Sequence, residues 1–221
     1  CAWDLDPSVR YINGTVTSWF TATADLDQLV FDLSDSLVVD AVILHGAEAD
    51  FSQDPGDLLT ITLPATIAAG QTDSVSVTYH GVPPVSGLGS FEAEQHQGTP
   101  VLWTLSEPYG AKDWWPCKQD LNDKIDSLDT YVTTPSIYRA AGNGLLVDSA
   151  TTGGHTTWHW RHRHPIDPYL VATAVTNYQV DVRYAVIGQD SVPMVTYAYP
   201  EDFYQATLNA EIARESCRER V

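Results

Sequence analysis

Basic residues are scarce. Eleven Lys and Arg stand against 29 Asp and Glu over 221 residues, a formal charge of −18. That field repels a polyanion, which argues against nucleic acid as a partner, and attracts a cation such as the free amino end of a peptide. Solubility accounts for most of the acidity and goes with a secreted, periplasmic or cell-surface setting rather than the cytoplasm. Cysteine is scarcer: Cys1, Cys117 and Cys217 allow one disulfide at most and no disulfide framework. No C-x-x-C or other zinc-ligand spacing occurs. Long apolar runs are missing. Leu37 to Leu44 comes nearest, but it is strand length and interrupted by Asp40, against the ~18 residues of a membrane span. No initiator Met and no charged-then-apolar leader opens the chain, which reads as a mature form or a fragment. Cys1 is open to a further reading, the lipid-bearing first residue of a processed lipoprotein.

Catalytic signatures are missing as well. There is no G-x-S-x-G elbow and no phosphate-binding Gly loop. His155 and His159 lie four apart, as in the zinc signature H-E-x-x-H, but Thr156 stands where the Glu belongs. Gly153 and Gly154 precede them, and Thr and Trp favour a strand, which would hold the two histidines about 13 Å apart. That excludes a shared zinc. His162 and His164 alternate with Arg161 and Arg163 and read as the polar face of a strand. A small metal hydrolase using His155, His159, His162 and His164 is a rival reading that metal analysis would test.

What is present is a β scaffold. At 43% hydrophobic the chain can bury a core. Strands are predicted over Val9–Ala22, Asp27–Leu33, Leu37–Gly46, Leu59–Leu63 (ended by Pro64), Val75–Tyr79, Val101–Leu105 and Leu128–Thr133. Further strands follow over Thr156–His162, Tyr169–Val180, Val182–Ile187 and Val192–Tyr199. Leu59–Leu63 and Val75–Tyr79 read as a consecutive pair with one face on the core. Asn13-Gly14-Thr15 fits a glycosylation sequon but reads as a turn. A long loop is expected from His80. From Asp202 the period turns helical through Phe203, Ala206, Ala210, Ala213 and Cys217. Acids at its start (Glu201, Asp202) and Arg214, Arg218 and Arg220 near its end suit the helix dipole. The fold class is therefore all-β, with antiparallel sheets over residues 1–200 and a terminal helix over 201–221. That helix has no stop signal and is expected to lead into a further domain.

The scaffold is organised around Ser106 to Asp129, a stretch both aromatic and turn-rich. Pro108, Gly110 and Pro116 break helix and strand there, beside Tyr109, Trp114 and Trp115. Trp114 and Trp115 read as packing. Lys112, Asp113, Lys118, Asp120, Asp123 and Lys124 read as partners in loop salt bridges and turns. Glu107 precedes Pro108, which biases it to an extended conformation from which a carboxylate can project into a cleft and pair with a protonated α-amino group. Chemistry alone leaves open the alternative that Glu107 caps the Tyr109-Gly110-Ala111 turn.

The run Glu107-Pro108-Tyr109-Gly110-Ala111-Lys112-Asp113-Trp114-Trp115-Pro116-Cys117 resembles a loop of the zinc aminopeptidases of the aminopeptidase N type. That family carries a pattern close to Glu-Pro-x-x-Ala-Arg-x-x-Phe-Pro-Cys, followed by Asp-x-Pro and Lys. Lys112, Trp115 and Leu121 depart from it, and Lys124 fits the later Lys. Gly14-Thr15-Val16, Leu63-Pro64, Gly70, Val75-Ser76-Val77, Tyr79-His80-Gly81, Asn143-Gly144-Leu145 and Tyr169-Leu170-Val171-Ala172 resemble other family segments in the right order. The resemblance implies the amino-terminal β domain of such an enzyme, a twisted saddle of sheets against a catalytic domain of the same chain. It implies a parent that removes N-terminal residues from peptides, with zinc polarising the carbonyl and activating water. It also implies that Glu107 binds the free amino group of the substrate. The family's Gly-x-Met-Glu-Asn and H-E-x-x-H motifs are absent; Met194 is followed by Val195. This chain is thus expected to hold no zinc and to be inactive alone. The rival class is a stand-alone β-sandwich binding module for carbohydrate or a cell-surface partner, with Trp103, Trp114, Trp115, Trp158 and Trp160 as stacking platforms.

Overall fold

Inward-facing apolar residues at every second position dictate strands, and strands dominate the fold. A computed structural model of the chain describes residues 1–87 and 89–218, without the side chains of Ile187 and 213–218. In chain order the strands are β1 (Ala2–Asp4), β2 (Ile12–Thr21), β3 (Leu26–Asp32), β4 (Leu37–Leu44), β5 (Ala47–Glu48) and β6 (Phe51–Asp54). Next come β7 (Leu58–Ile67), β8 (Thr72–Gly81), β9 (Glu92–His96), β10 (Thr99–Trp103), β11 (Leu128–Pro135) and β12 (Arg139–Gly142). The last are β13 (Leu145–Thr152), β14 (His155–His162), β15 (Thr173–Thr176), β16 (Gln179–Ile187) and β17 (Asp190–Ala198). The helix α1 (Phe203–Arg218) follows. The class is all-β. The placement of Ala213, Arg214, Cys217 and Arg220 on the helix lies outside the described residues and side chains.

Eight strands form the main sheet in the order β13-β14-β11-β1-β2-β8-β4-β5. Its members alternate buried and exposed positions: Ile12 and Val16 on β2, Val75, Val77 and Tyr79 on β8, Trp158 and Trp160 on β14. β1 is the one strand that joins the two halves of this sheet. It runs antiparallel to β2 (Ala2 opposite Thr15) and parallel to β11 (Ala2 opposite Tyr131). Trp3 and the adjoining Leu5 are buried. A four-stranded sheet, β12-β15-β10-β9, and a three-stranded sheet, β3-β7-β6, complete the body. Their inward residues, Leu102 and Val175 from one and Leu59 and Ile61 from the other, join the same hydrophobic core.

Several expectations need correction. Asn13 and Gly14 are not a turn: both lie within β2, and Gly14 is required because a Cβ there would come within 2.6 Å of the Tyr79 ring. Pro64 does not end a strand; β7 runs through it. The register between β3 and β7 jumps from Gln28–Thr62 to Leu26–Ile67, and Pro64 sits in that irregular stretch, where no ladder partner is required of it. β7 and β8 follow one another but belong to different sheets. Tyr169–Val180 is not one strand: a 3-10 turn over Pro168–Leu170, the short β15 and the start of β16 share it. The long loop from His80 contains β9.

Among the described residues β16 and β17 pair only with each other, and α1 packs on both. The base of this hairpin reaches the body through Tyr197, whose ring lies 6.1 Å from that of Trp160.

Candidate functional site

The turn that carries Glu107 hangs from a buried aromatic chain. Trp3 Nε1 donates to the Tyr79 hydroxyl (3.1 Å), which donates to the Trp114 carbonyl (2.8 Å). Trp114 Nε1 donates to Ser106 Oγ (2.9 Å). The Trp3 and Trp114 rings lie 4.8 Å apart, and Phe91 and Trp115 flank Trp114. These rings have no solvent face to offer, because Trp114 is fully buried and Trp115 nearly so. Burial pushes the Tyr79 hydroxyl and the Cys117 thiol well above their ordinary pKa values, so both stay protonated and Cys117 is no nucleophile.

Backbone bonds fix the loop's path. Gly110 N–H donates to the Ser106 carbonyl (2.8 Å), and Ala111–Asp113 makes one 3-10 turn. Asp32 and Cys117 exchange backbone bonds, Ser34 N–H donates to the Lys112 carbonyl, and Ile125 bridges Ile166. Ion pairs were expected here and form: Lys112 with Asp57 (2.5 Å), Lys124 with Asp167 (2.9 Å) and Lys118 with Asp123. Partial burial alone would raise the Asp57 carboxyl, but the bonds from Lys112 and the Asp35 N–H together with the Lys112 charge lower it, and the bond to Asp57 raises Lys112. Asp113, 4% exposed, accepts from the Ser86 hydroxyl and ties the loop to the segment after β8.

Glu107 does not continue an extended strand. It sits in a turn four residues past β10, and its peptide bond to Pro108 is cis. The side chain is exposed at the wall of a cavity of about 450 Å³, which Asp35, Asp57, Ser86, Lys112 and Asp113 also line. Among the described residues its carboxylate has no hydrogen-bond or ion-pair partner, and backbone atoms close the following turn without it. Four carboxylates face one ammonium here, and that ammonium is already paired with Asp57. The arrangement can hold a cation. It offers only oxygen and ammonium groups, with neither imidazole nor thiolate, so its donors do not fit zinc.

The other candidates separate. His155 and His159 lie on β14 as a strand requires. His159 is bound to Asp129 (2.7 Å) and stacked on Tyr131, and the His162 and His164 rings meet edge to face. Among the described residues none of these four joins a set of three metal-ligating groups. Trp114, Trp115, Trp158 and Trp160 are buried and Trp103 is half-buried, so they form no stacking platform. Asp35, Asp57 and Ser86, which complete the cavity around Glu107, escaped the sequence reading. Each is remote from Glu107 in the chain and carries no motif.

Comparison with solved structures shows that this all-β body shares its fold with part of zinc metallopeptidases of the M1 type. The M1 zinc metallopeptidase from Deinococcus radiodurans superposes with a TM-score of 0.78 at 24% identity, over 88% of this chain and 45% of that one. A mutant of that metallopeptidase bound to a Tyr-Ser-Ala substrate matches at 0.78 and 23%, over the same shares. Leukotriene A4 hydrolase from Saccharomyces cerevisiae matches at 0.66 and 17%, over 91% of this chain and 31% of that one. The chain therefore spans less than half the length of these solved proteins. No protein-family model matches the sequence. No curated protein matches it either.

Proposed function

We propose that this chain is the amino-terminal substrate-recognition domain of a zinc aminopeptidase, and that Glu107 holds the free amino group of the peptide. The observation that carries the reading is the unpartnered Glu107 carboxylate, exposed at the wall of a cavity rich in acids. An α-ammonium group brings three N–H donors and a positive charge, which a carboxylate matches directly. The wider negative field concentrates such ligands at the cavity. The fold goes with this reading, since solved M1 metallopeptidases share it and one was captured with a tripeptide. Hydrolysis itself, and the zinc that polarises the scissile carbonyl, belong to the remainder of the parent, because this cavity offers carboxylates but no imidazole or thiolate to complete a zinc set. In this reading α1 leads toward that remainder. The chain alone cleaves nothing, and its own task is to fix where the peptide begins. On the acidic balance we extend the proposal to a secreted, periplasmic or cell-surface setting.

The test is Glu107→Gln in the longer enzyme. A hydrogen bond to a charged group is worth about 1.5–3 kcal/mol. kcat/KM for free-amine peptides should therefore fall roughly 10- to 100-fold, with a raised KM, while any residual turnover of amine-blocked peptides is unchanged. Equal losses on both substrates would remove Glu107 from the role.

A further inference from the structure

A second set of ligating groups lies away from the Glu107 turn. His96 ends β9, and Glu201 and Asp202 immediately precede α1. One ligand atom from each of the three lies within 4.8 Å of the other two, the one such set among the described residues. His96 Nε2 is 2.5 Å from Glu201 Oε1. The imidazole plane is held from one side by Tyr199, stacked at 3.7 Å and 13°. Tyr178 in turn packs on Tyr199 at 5.6 Å. The ring is therefore oriented before any ligand arrives, with the Glu201 carboxylate already at its Nε2 and the exposed Asp202 carboxylate beside it.

We propose that His96, Glu201 and Asp202 bind a divalent transition ion of the zinc class. The donor types select it. Imidazole is foreign to the all-oxygen shells of calcium and magnesium, whereas zinc takes His nitrogen and carboxylate oxygen at about 2.0–2.2 Å. Atoms sharing one such ion lie up to roughly 4 Å apart, so a small rotation of Glu201 and Asp202 closes the set. Two carboxylates neutralise the doubly charged ion. The positive end of α1 opposes it, and the overall charge of −18 favours it. Water completes the shell, since only three protein groups are present. The ion would brace the β9–β10 hairpin against the β17–α1 corner, two places 105 residues apart in the chain. This revises the expectation that the chain binds no zinc of its own.

Isothermal titration of zinc chloride into the metal-free 221-residue chain tests it, with thermal melting alongside. One equivalent should bind and raise Tm. His96→Ala should weaken binding at least about 10-fold, and so should Glu201→Gln combined with Asp202→Asn. Circular dichroism confirms that each variant is folded, and Glu201→Gln preserves a hydrogen-bonding side chain toward His96. Absence of binding to the unaltered chain would overturn the proposal and leave a plain His96–Glu201 ion pair. Binding that survives both sets of substitutions would also overturn it, by assigning the ion to other histidines.

Discussion

The Tyr79 hydroxyl joins Trp3 Nε1 to the Trp114 carbonyl inside the core, and so connects the scaffold to the turn bearing Glu107. Removing that one oxygen by Tyr79→Phe leaves a buried indole N–H and a buried carbonyl without partners. Each such loss costs about 1–3 kcal/mol. Chemical denaturation should show a stability decrease of roughly 2 kcal/mol or more, and, on the proposed function, a longer enzyme carrying this domain should lose peptide affinity as the turn loosens. Asp129 is a second decisive residue. Partial burial alone would raise its carboxyl, but hydrogen bonds from His159, Arg163 and Arg161 outweigh burial and hold it at about 2, against an ordinary 3.8. The unfolded chain therefore binds the proton first, and the stability gained from Asp129 is present above pH 3.8 and lost as pH falls toward 2. Asp129→Asn should flatten the stability profile through that window, as urea titrations at stepped pH would report. His155 and His159 were read correctly as strand residues, whereas His164, read with His162 as a strand's polar face, lies beyond β14; the convergence of His159, Arg161 and Arg163 on Asp129 was not foreseen. The partner comes from β11, about 30 residues away.

At the scale of elements, β1 carries weight out of proportion to its three residues. Among the described residues it is the only strand hydrogen-bonded to both β2 and β11, and so joins β2-β8-β4-β5 to β11-β14-β13, and Trp3 and Leu5 are buried beside it. Burying one such side chain contributes about 1.5–3 kcal/mol. Deleting residues 1–5 should therefore abolish cooperative unfolding rather than shift it, seen as loss of near-ultraviolet circular dichroism and a broadened melt. The sequence showed no sign of β1, because three residues cannot display a period. β5, β6 and β9 went unread for related reasons: they are short or polar. β13 has no buried face, since every one of its residues is exposed at the sheet edge, and alternation has nothing to mark. The long strands with a clear inner face, β2, β8, β11 and β14, were legible because burial imposes the period of two that the eye can follow. Pro64 misled because a bulge removes the usual penalty.

On the scale of the whole molecule, the proposed function together with the charge of −18 predicts that capture of a cationic peptide is a long-range event. The screening length falls from about 30 Å at 0.01 M salt to about 8 Å at 0.15 M. On the proposed function, stopped-flow association of a Lys- or Arg-rich peptide with the longer enzyme should slow across that range, while a neutral peptide shows little change. The Glu107 turn was visible in the sequence because its prolines and aromatics crowd one stretch. Its neighbours in the cavity were not, because Asp35, Asp57 and Ser86 arrive from three different segments and only tertiary packing assembles them. The parallel pairing of β1 with β11 also governs the timing of assembly. Ala2 is made more than a hundred residues before Tyr131, which it must face. Through synthesis of that whole interval β1 has one flank open. Slow translation before residue 131 would prolong this state, and its raw edge is where a nascent chain of this protein would first meet a chaperone or a wrong partner.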